Sequence, residues 1–280
     1  METHVRMCLI LFAIDSHPAL PLVVAANRDE RYARPTQPLQ WWADAPQLLA
    51  GKDLEAGGTW LGITRNGRFA AITNVREGVR REQWQRSRGE LTRDFLLGDM
   101  TAADFADYAY AQSEHFAGFN LLLGDLTPGA SLAADLAPQA RGGVYYCSNR
   151  SQPPRRLPAG VYGLSNDSLD SAWPKVVSGK FALKQLLNAG TPSTDDLLQI
   201  LTDTHQPADS ELPDTGVGLL LERLLASAFI ATDEYGTRAS TALLVARDGR
   251  VDIAEQNFRS GGVAAELFRY HWQLESLTDG

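Results

Sequence analysis

Two tight turns constrain this chain more than any other feature. Asn66-Gly67 lies in RNGR, between apolar runs over residues 59–64 and 69–75, and Asp248-Gly249 lies in STALLVARDGRVDIAEQNF (240–258). Asn-Gly suits the type I′ turn, whose twist matches that of the strands it joins, so each turn predicts a hairpin and antiparallel neighbours. A third hairpin is expected at the start, where the apolar runs CLILFAI (8–14) and LVVAA (22–26) flank the turn segment SHPALP. Further strands are expected over 118–125, 143–149 and 160–166.

Helices come in groups between these strands. Residues 87–113 are helical by pattern, with Ser87 and Glu90 as a capping box and a second start at Thr101 and Asp104. A helix over 173–188 has Pro174 at its first position, and another over 193–203 carries Asp195 and Asp196 in its first turn. The tail, 261–274, fits strand and helix equally. Hairpins with grouped helices exclude parallel βαβ alternation. They predict an α+β fold, an αββα sandwich of two antiparallel sheets flanked by helices, in a single domain over 1–280 without repeats or linkers.

Charge and cysteine content narrow the function classes. A formal net charge of −8 disfavours a general nucleic-acid binder, which needs clustered cations to neutralise phosphates. The local arginines Arg76, Arg80, Arg81, Arg86 and Arg88 read as a solvated face. No run approaches the roughly 18 apolar residues of a membrane span. The start has no small-residue cleavage site after its apolar run, so it reads as a first strand rather than a signal peptide. Two cysteines outside any CxxC pair point to a reducing, cytoplasmic setting. The histidines His4, His17, His115, His205 and His271 have no metal spacing, and no metal site is expected.

Several apolar runs finish in the same polar vocabulary. The second strand is expected to end at Asn-Arg-Asp-Glu (27–30), the strand at 69 in Thr73-Asn74-Val75-Arg76, and later runs in Ser148-Asn149 and Ser165-Asn166. Gly236-Thr237-Arg238 precedes the last hairpin. Asn closes strands routinely, but so many together predict a rim where amides and guanidinia from different strands meet. Cys8 is the group that such a rim would serve. Met7 precedes it directly, so initiation at Met7 and removal of that residue would leave Cys8 as the N-terminus, with its own α-amine as general base for the thiol. Arg28 would favour thiolate, and Asp29 would hold the amine. Trp41, Trp42 and Trp60 are candidate apolar walls, beside the plain alternative of core packing.

The series MC before an apolar strand, then AANRDE, GGTWLGI, AITNVRE, GFNLLLGD, GLSN with WPK, and YGTRAST resembles the NRDE family, whose eukaryotic members are called transport and Golgi organisation proteins of the second type. The resemblance runs in order from Met7 to about Val245. It implies a fold of the N-terminal nucleophile hydrolase kind, similar to penicillin V acylase and bile salt hydrolase. By that resemblance Cys8 matches the nucleophile, Arg28 and Asp29 the pair beside it, Asn74 the oxyanion-side Asn, Asn166 a second Asn and Arg238 a late Arg. The function implied is a cysteine amidohydrolase for a small or acyl-tailed amide, with no cofactor required. The alternative is a non-enzymatic protein that binds and traffics haem, acyl-CoA or other lipid, and for haem a single axial His, Cys or Tyr would suffice. The segment METHVR before Met7 departs from the pattern. While it stays attached Cys8 has an amide and no amine, so either Met7 is the real start, or the segment is a leader that is cut off, or the site does no such chemistry.

Overall fold

The computed structural model of the chain describes residues 7–76, 84–126 and 142–275. The leader 1–6, with His4, and the arginines Arg80 and Arg81 lie outside these residues. Strands β1 (Met7–His17) and β2 (Leu20–Arg31) form the first hairpin, and β3 (Thr36–Trp42) with β4 (Ala45–Asp53) the second. Strands β5 (Leu61–Thr64) and β6 (Arg68–Asn74) turn at Asn66-Gly67, where Gly67 has the positive φ of 88° that the turn requires. Helices α1 (Arg88–Leu97) and α2 (Ala102–Ala111) follow, then β7 (Phe119–Asp125), β8 (Gly143–Ser148), the short β9 (Arg155–Arg156) and β10 (Gly160–Leu164). Helices α3 (Pro174–Ala189), α4 (Thr194–Ile200) and α5 (Leu219–Leu224) precede β11 (Tyr235–Val245), β12 (Arg250–Arg259) and β13 (Val263–Gln273).

The strands build two sheets, of order β10-β1-β2-β11-β12-β13 and β3-β4-β5-β6-β7-β8-β9. Every pairing between these strands is antiparallel. Strand alternation explains the layers. On β1, Ile10, Phe12 and Ile14 enter the core between the sheets, while Met7, Leu9, Leu11 and Ala13 pack on the other face with Val176, Leu183 and Leu187 of α3. The outer face of the second sheet receives Leu91, Phe95 and Leu96 of α1 with Phe105 and Ala109 of α2. Helices outside, sheets inside is the α+β, αββα order expected. Among the described residues, no helix is long and apolar enough to cross a membrane.

Three expectations need correction. The second strand does not end at Ala26. β2 continues to Arg31, and Asn27, Arg28, Asp29 and Glu30 are buried inside it, paired by β1 on one side and β11 on the other. The ladder satisfies their backbone while side-chain partners satisfy their polar ends, so burial costs them less than the apolar-run rule assumes. Strands β3 and β4 were not expected; Pro38 argues against a central strand, but β3 is an edge strand, where a missing N–H is tolerated. Arg76 is not on a solvated face: its side chain is buried in an ion pair with Glu222.

Candidate functional site

The register of the first hairpin fixes the centre of the site. Met7 lies opposite Asp29, and Cys8 opposite Arg28. By alternation, Cys8 and Arg28 project between the sheets and Met7 and Asp29 toward the helices. Cys8 opens onto a cavity of about 460 Å³, whose lining also includes Arg28, Asp29, Asn74 and Arg238. Five of the six residues singled out from sequence thus meet at one cavity.

The sixth, Asn166, works from behind. β10 leaves its ladder with β1 at Leu164, opposite Ile10, and side chains take over where the ladder stops. The Cys8 N–H donates to Asn166 Oδ1 at 3.1 Å, and Ser165 Oγ donates to the Cys8 carbonyl at 2.8 Å. Asn166 Nδ2 donates to the Asn74 carbonyl at 2.9 Å, and the Arg76 N–H donates to the Asn166 carbonyl at 2.7 Å. One side chain therefore ties the backbone of Cys8 to the end of β6.

Charge is arranged in layers around the thiol. Asp29 is 1% exposed; its Oδ1 accepts from Thr237 Oγ1 at 2.7 Å, and its Oδ2 has no hydrogen-bond partner among the described residues. Burial raises the Asp29 carboxyl above the usual carboxylate range, against the lowering pull of Lys175. Arg28 stands within 3.8 Å of Glu30 and 3.7 Å of Asp53, and Arg34 holds Asp53 through two hydrogen bonds of 2.8 and 3.0 Å. The segment that follows Asp53 rests on the start of α1. A Cβ on Gly58 would lie 2.5 Å from the Gly89 backbone, so only glycine allows that approach.

The thiol itself differs from expectation. Burial pushes Cys8 up to about 12, and Asp29 adds to the rise, while Arg28 and the Asp29 backbone N–H pull the other way. Arg28 favours thiolate as expected, but in the chain that retains Met7 one guanidinium, shared with two carboxylates, is outweighed by desolvation, and the balance favours the thiol. Because only thiolate reacts, Cys8 alkylation by iodoacetamide should climb about tenfold per pH unit from about pH 7 to 10 without levelling. An ordinary thiol levels off near pH 9, and a plateau there would contradict this environment. Asp29→Asn should raise the rate at pH 8.

Sequence reasoning missed Lys175. It is 4% exposed, donates to the Leu225 carbonyl at 2.9 Å, and is lowered to about 8 by burial, with Asp29 and Cys8 opposing that fall. The signal was present in WPK: Lys175, Gly179, Leu183 and Leu187 follow one another at four-residue steps on the buried stripe of α3. Tyr235 was missed too; its hydroxyl accepts the Met7 N–H at 3.0 Å. Glu255 is buried, accepts the Leu39 N–H at 2.8 Å, and is raised by burial. Trp60 does line the cavity, whereas Trp42 is a core residue. No described histidine lines the cavity. Among the described residues, no group of three or more His, Cys, Asp or Glu is placed to hold a metal.

Residues 7–260 match the sequence profile of the family described as Transport and Golgi organisation 2. A human protein, Transport and Golgi organization protein 2 homolog, is 33% identical, the alignment covering 96% of this chain and 98% of that one. The Drosophila melanogaster protein of the same name is 26% identical, with 89% and 92% covered. Among solved structures, the Caenorhabditis elegans ortholog of N-acylethanolamine-hydrolyzing acid amidase has a TM-score of 0.47 at 13% identity, over 85% of this chain and 92% of that one. A likeness of that degree bears on neither the reaction nor its residues.

Proposed function

Because the chain belongs to the Transport and Golgi organisation 2 family, whose description names no reaction, its chemistry is argued from the cavity, and we propose a cysteine amide hydrolase that acts through Cys8 on a small or acyl-tailed amide. The observation that carries this reading is the register, which sets a cavity-lining sulfur opposite a guanidinium, beside a buried carboxylate with one oxygen unpartnered.

In the active form the chain begins at Cys8. Its α-amine takes the thiol proton as sulfur bonds to the substrate carbonyl carbon, and the ammonium then donates to the leaving amine as the C–N bond breaks. Water hydrolyses the thioester to the carboxylic acid and returns the proton to sulfur. The open oxygen of Asp29 accepts from the ammonium. Asn74 is the donor toward the oxyanion from the cavity wall. Asn166 is a positioning residue, since the hydrogen bonds that it makes to Cys8 and Asn74 fix both relative to one another. Neither cofactor nor metal enters these steps.

Intact mass and turnover test the reading together. A form beginning at Cys8 is expected to hydrolyse members of an N-acyl amide panel, and a form retaining residues 1–7 is expected to be inactive. Equal turnover by the two forms would remove the amine from the mechanism, and no turnover by either would remove the hydrolase.

A further inference from the structure

One residue of β11 does not follow the ladder. Thr237 pairs with Asp29 and Ala239 with Arg28, so Arg238 is the extra residue of a β-bulge. The bulge lets one strand serve two faces. Thr237 stays on the helix side, bonded to Asp29, while Arg238 and Ala239 both line the cavity between the sheets.

Arg238 is then held through one of its three nitrogens, with Glu30 the carboxylate that attracts it. Its Nη1 donates to the carbonyls of Arg31, Tyr32 and Arg34 at 3.0, 2.8 and 2.8 Å, while Nε and Nη2 make no hydrogen bond to a described residue. Of the five carboxylates of the lining, Asp29 is bonded to Thr237 on the helix side, and the other four have partners besides Arg238. Glu30 and Asp53 lie with Arg28 and Arg34, Glu266 with Arg259, and Glu255 with the Leu39 N–H and Asn257. Arg28 stands nearby with like charge. Carbonyls satisfy hydrogen bonds but neutralise no charge, and a guanidinium with two adjacent N–H donors fits a planar carboxylate.

We infer that Arg238 is the anion receptor of this cavity, and that the molecule taken up beside Cys8 carries a carboxylate. The inference rests on the reading that the cavity around Cys8 is the working site, and it narrows the substrate to an amide bearing an acid group. Phe258 and Phe268 supply apolar wall in the same cavity for the rest of such a molecule.

The test needs no turnover. Iodoacetate and iodoacetamide deliver nearly the same group to sulfur, one with a carboxylate and one without. The ratio of their rates at Cys8, divided by the ratio for 2-mercaptoethanol, cancels the thiolate fraction and reports charge selectivity. Peptide mass spectrometry separates Cys8 from the fully buried Cys147. The normalised ratio is expected to be about 10 in the full chain at low salt, to fall to about 1 in Arg238→Gln, and to be partly kept in Arg238→Lys. A ratio at or below 1 in the unaltered chain, or one unchanged in Arg238→Gln, overturns the proposal. Should Arg238→Gln fail to fold, protection of Cys8 in the unaltered chain decides. Butyrate should slow alkylation by iodoacetamide where butyramide does not. Equal protection by both, or protection by inorganic phosphate and not butyrate, overturns a carboxylate receptor. Hydrolysis of neutral amides alone would leave the hydrolase standing and remove only this inference, whereas charge selectivity without hydrolysis of any amide would do the reverse.

Discussion

Turnover by a Cys8→Ala variant is expected to fall by at least about 10⁴-fold, because the nucleophile is the member of such a constellation whose loss leaves only the residual acceleration of binding and oxyanion contacts. The fold should survive the change. Cys8 lies at the cavity wall, its backbone N–H and carbonyl are held by Asn166 and Ser165, and neither bond involves the sulfur. Circular dichroism and a denaturation midpoint close to that of the unaltered protein would establish that the loss is chemical. Trapping completes the test: a substrate that acylates the unaltered protein should add its acyl mass to the peptide containing Cys8 and nowhere else. Turnover retained by Cys8→Ala, with the fold intact, would move the chemistry to another group.

The second large effect concerns stability. Arg76 and Glu222 form an ion pair with both side chains only 4% exposed. Around it, Arg76 Nη2 contacts Met7 Sδ at 3.2 Å, its guanidinium stacks on the Trp173 ring at 4.4 Å, and Glu222 accepts from Thr215 N and Oγ1. Glu222→Ala strands a guanidinium in that site beside the buried Lys175, and is expected to destabilise by about 3–5 kcal/mol. Arg76→Met with Glu222→Met should recover most of the loss, since a buried pair replaced by apolar groups is often near neutral. Urea denaturation midpoints of the single and double variants measure both. A single variant within 1 kcal/mol of the parent, or a double variant no better than the single, would show that the pair is less buried in solution than its surroundings imply.

How much was legible in the sequence follows the same physics. The hairpin at Asn66-Gly67 was readable because a turn that needs positive φ announces itself in residue types. The association of Cys8 with Arg28 was readable because a short turn fixes the register between neighbouring strands. What failed was the rule that a strand ends where its apolar run ends. Asn27 is wholly buried, yet its Nδ2 donates to the carbonyls of Leu201 and Ala228 and its Oδ1 accepts from Ser240. Those partners lie more than 170 positions away in the chain, and no local pattern reveals them. Lys175 was hidden for the opposite reason: its place on the buried stripe of α3 was visible, but its companions Asp29 and Cys8 come from the sheet beneath that helix. The bulge at Arg238 left no trace in residue types at all, because it depends on the pairing of β11 with β2.

One consequence follows from where the cavity wall is hung. Ala265, Glu266 and Phe268 belong to β13, the outermost strand of its sheet, which pairs in the ladder with β12 alone and lies beyond the segment matched by the family profile. The reacting groups sit on inner strands clamped from both sides. A relative could therefore shift, shorten or re-dress this outer rail, widening or narrowing the berth for a guest molecule, while the sulfur and its escort of charges stayed where they are.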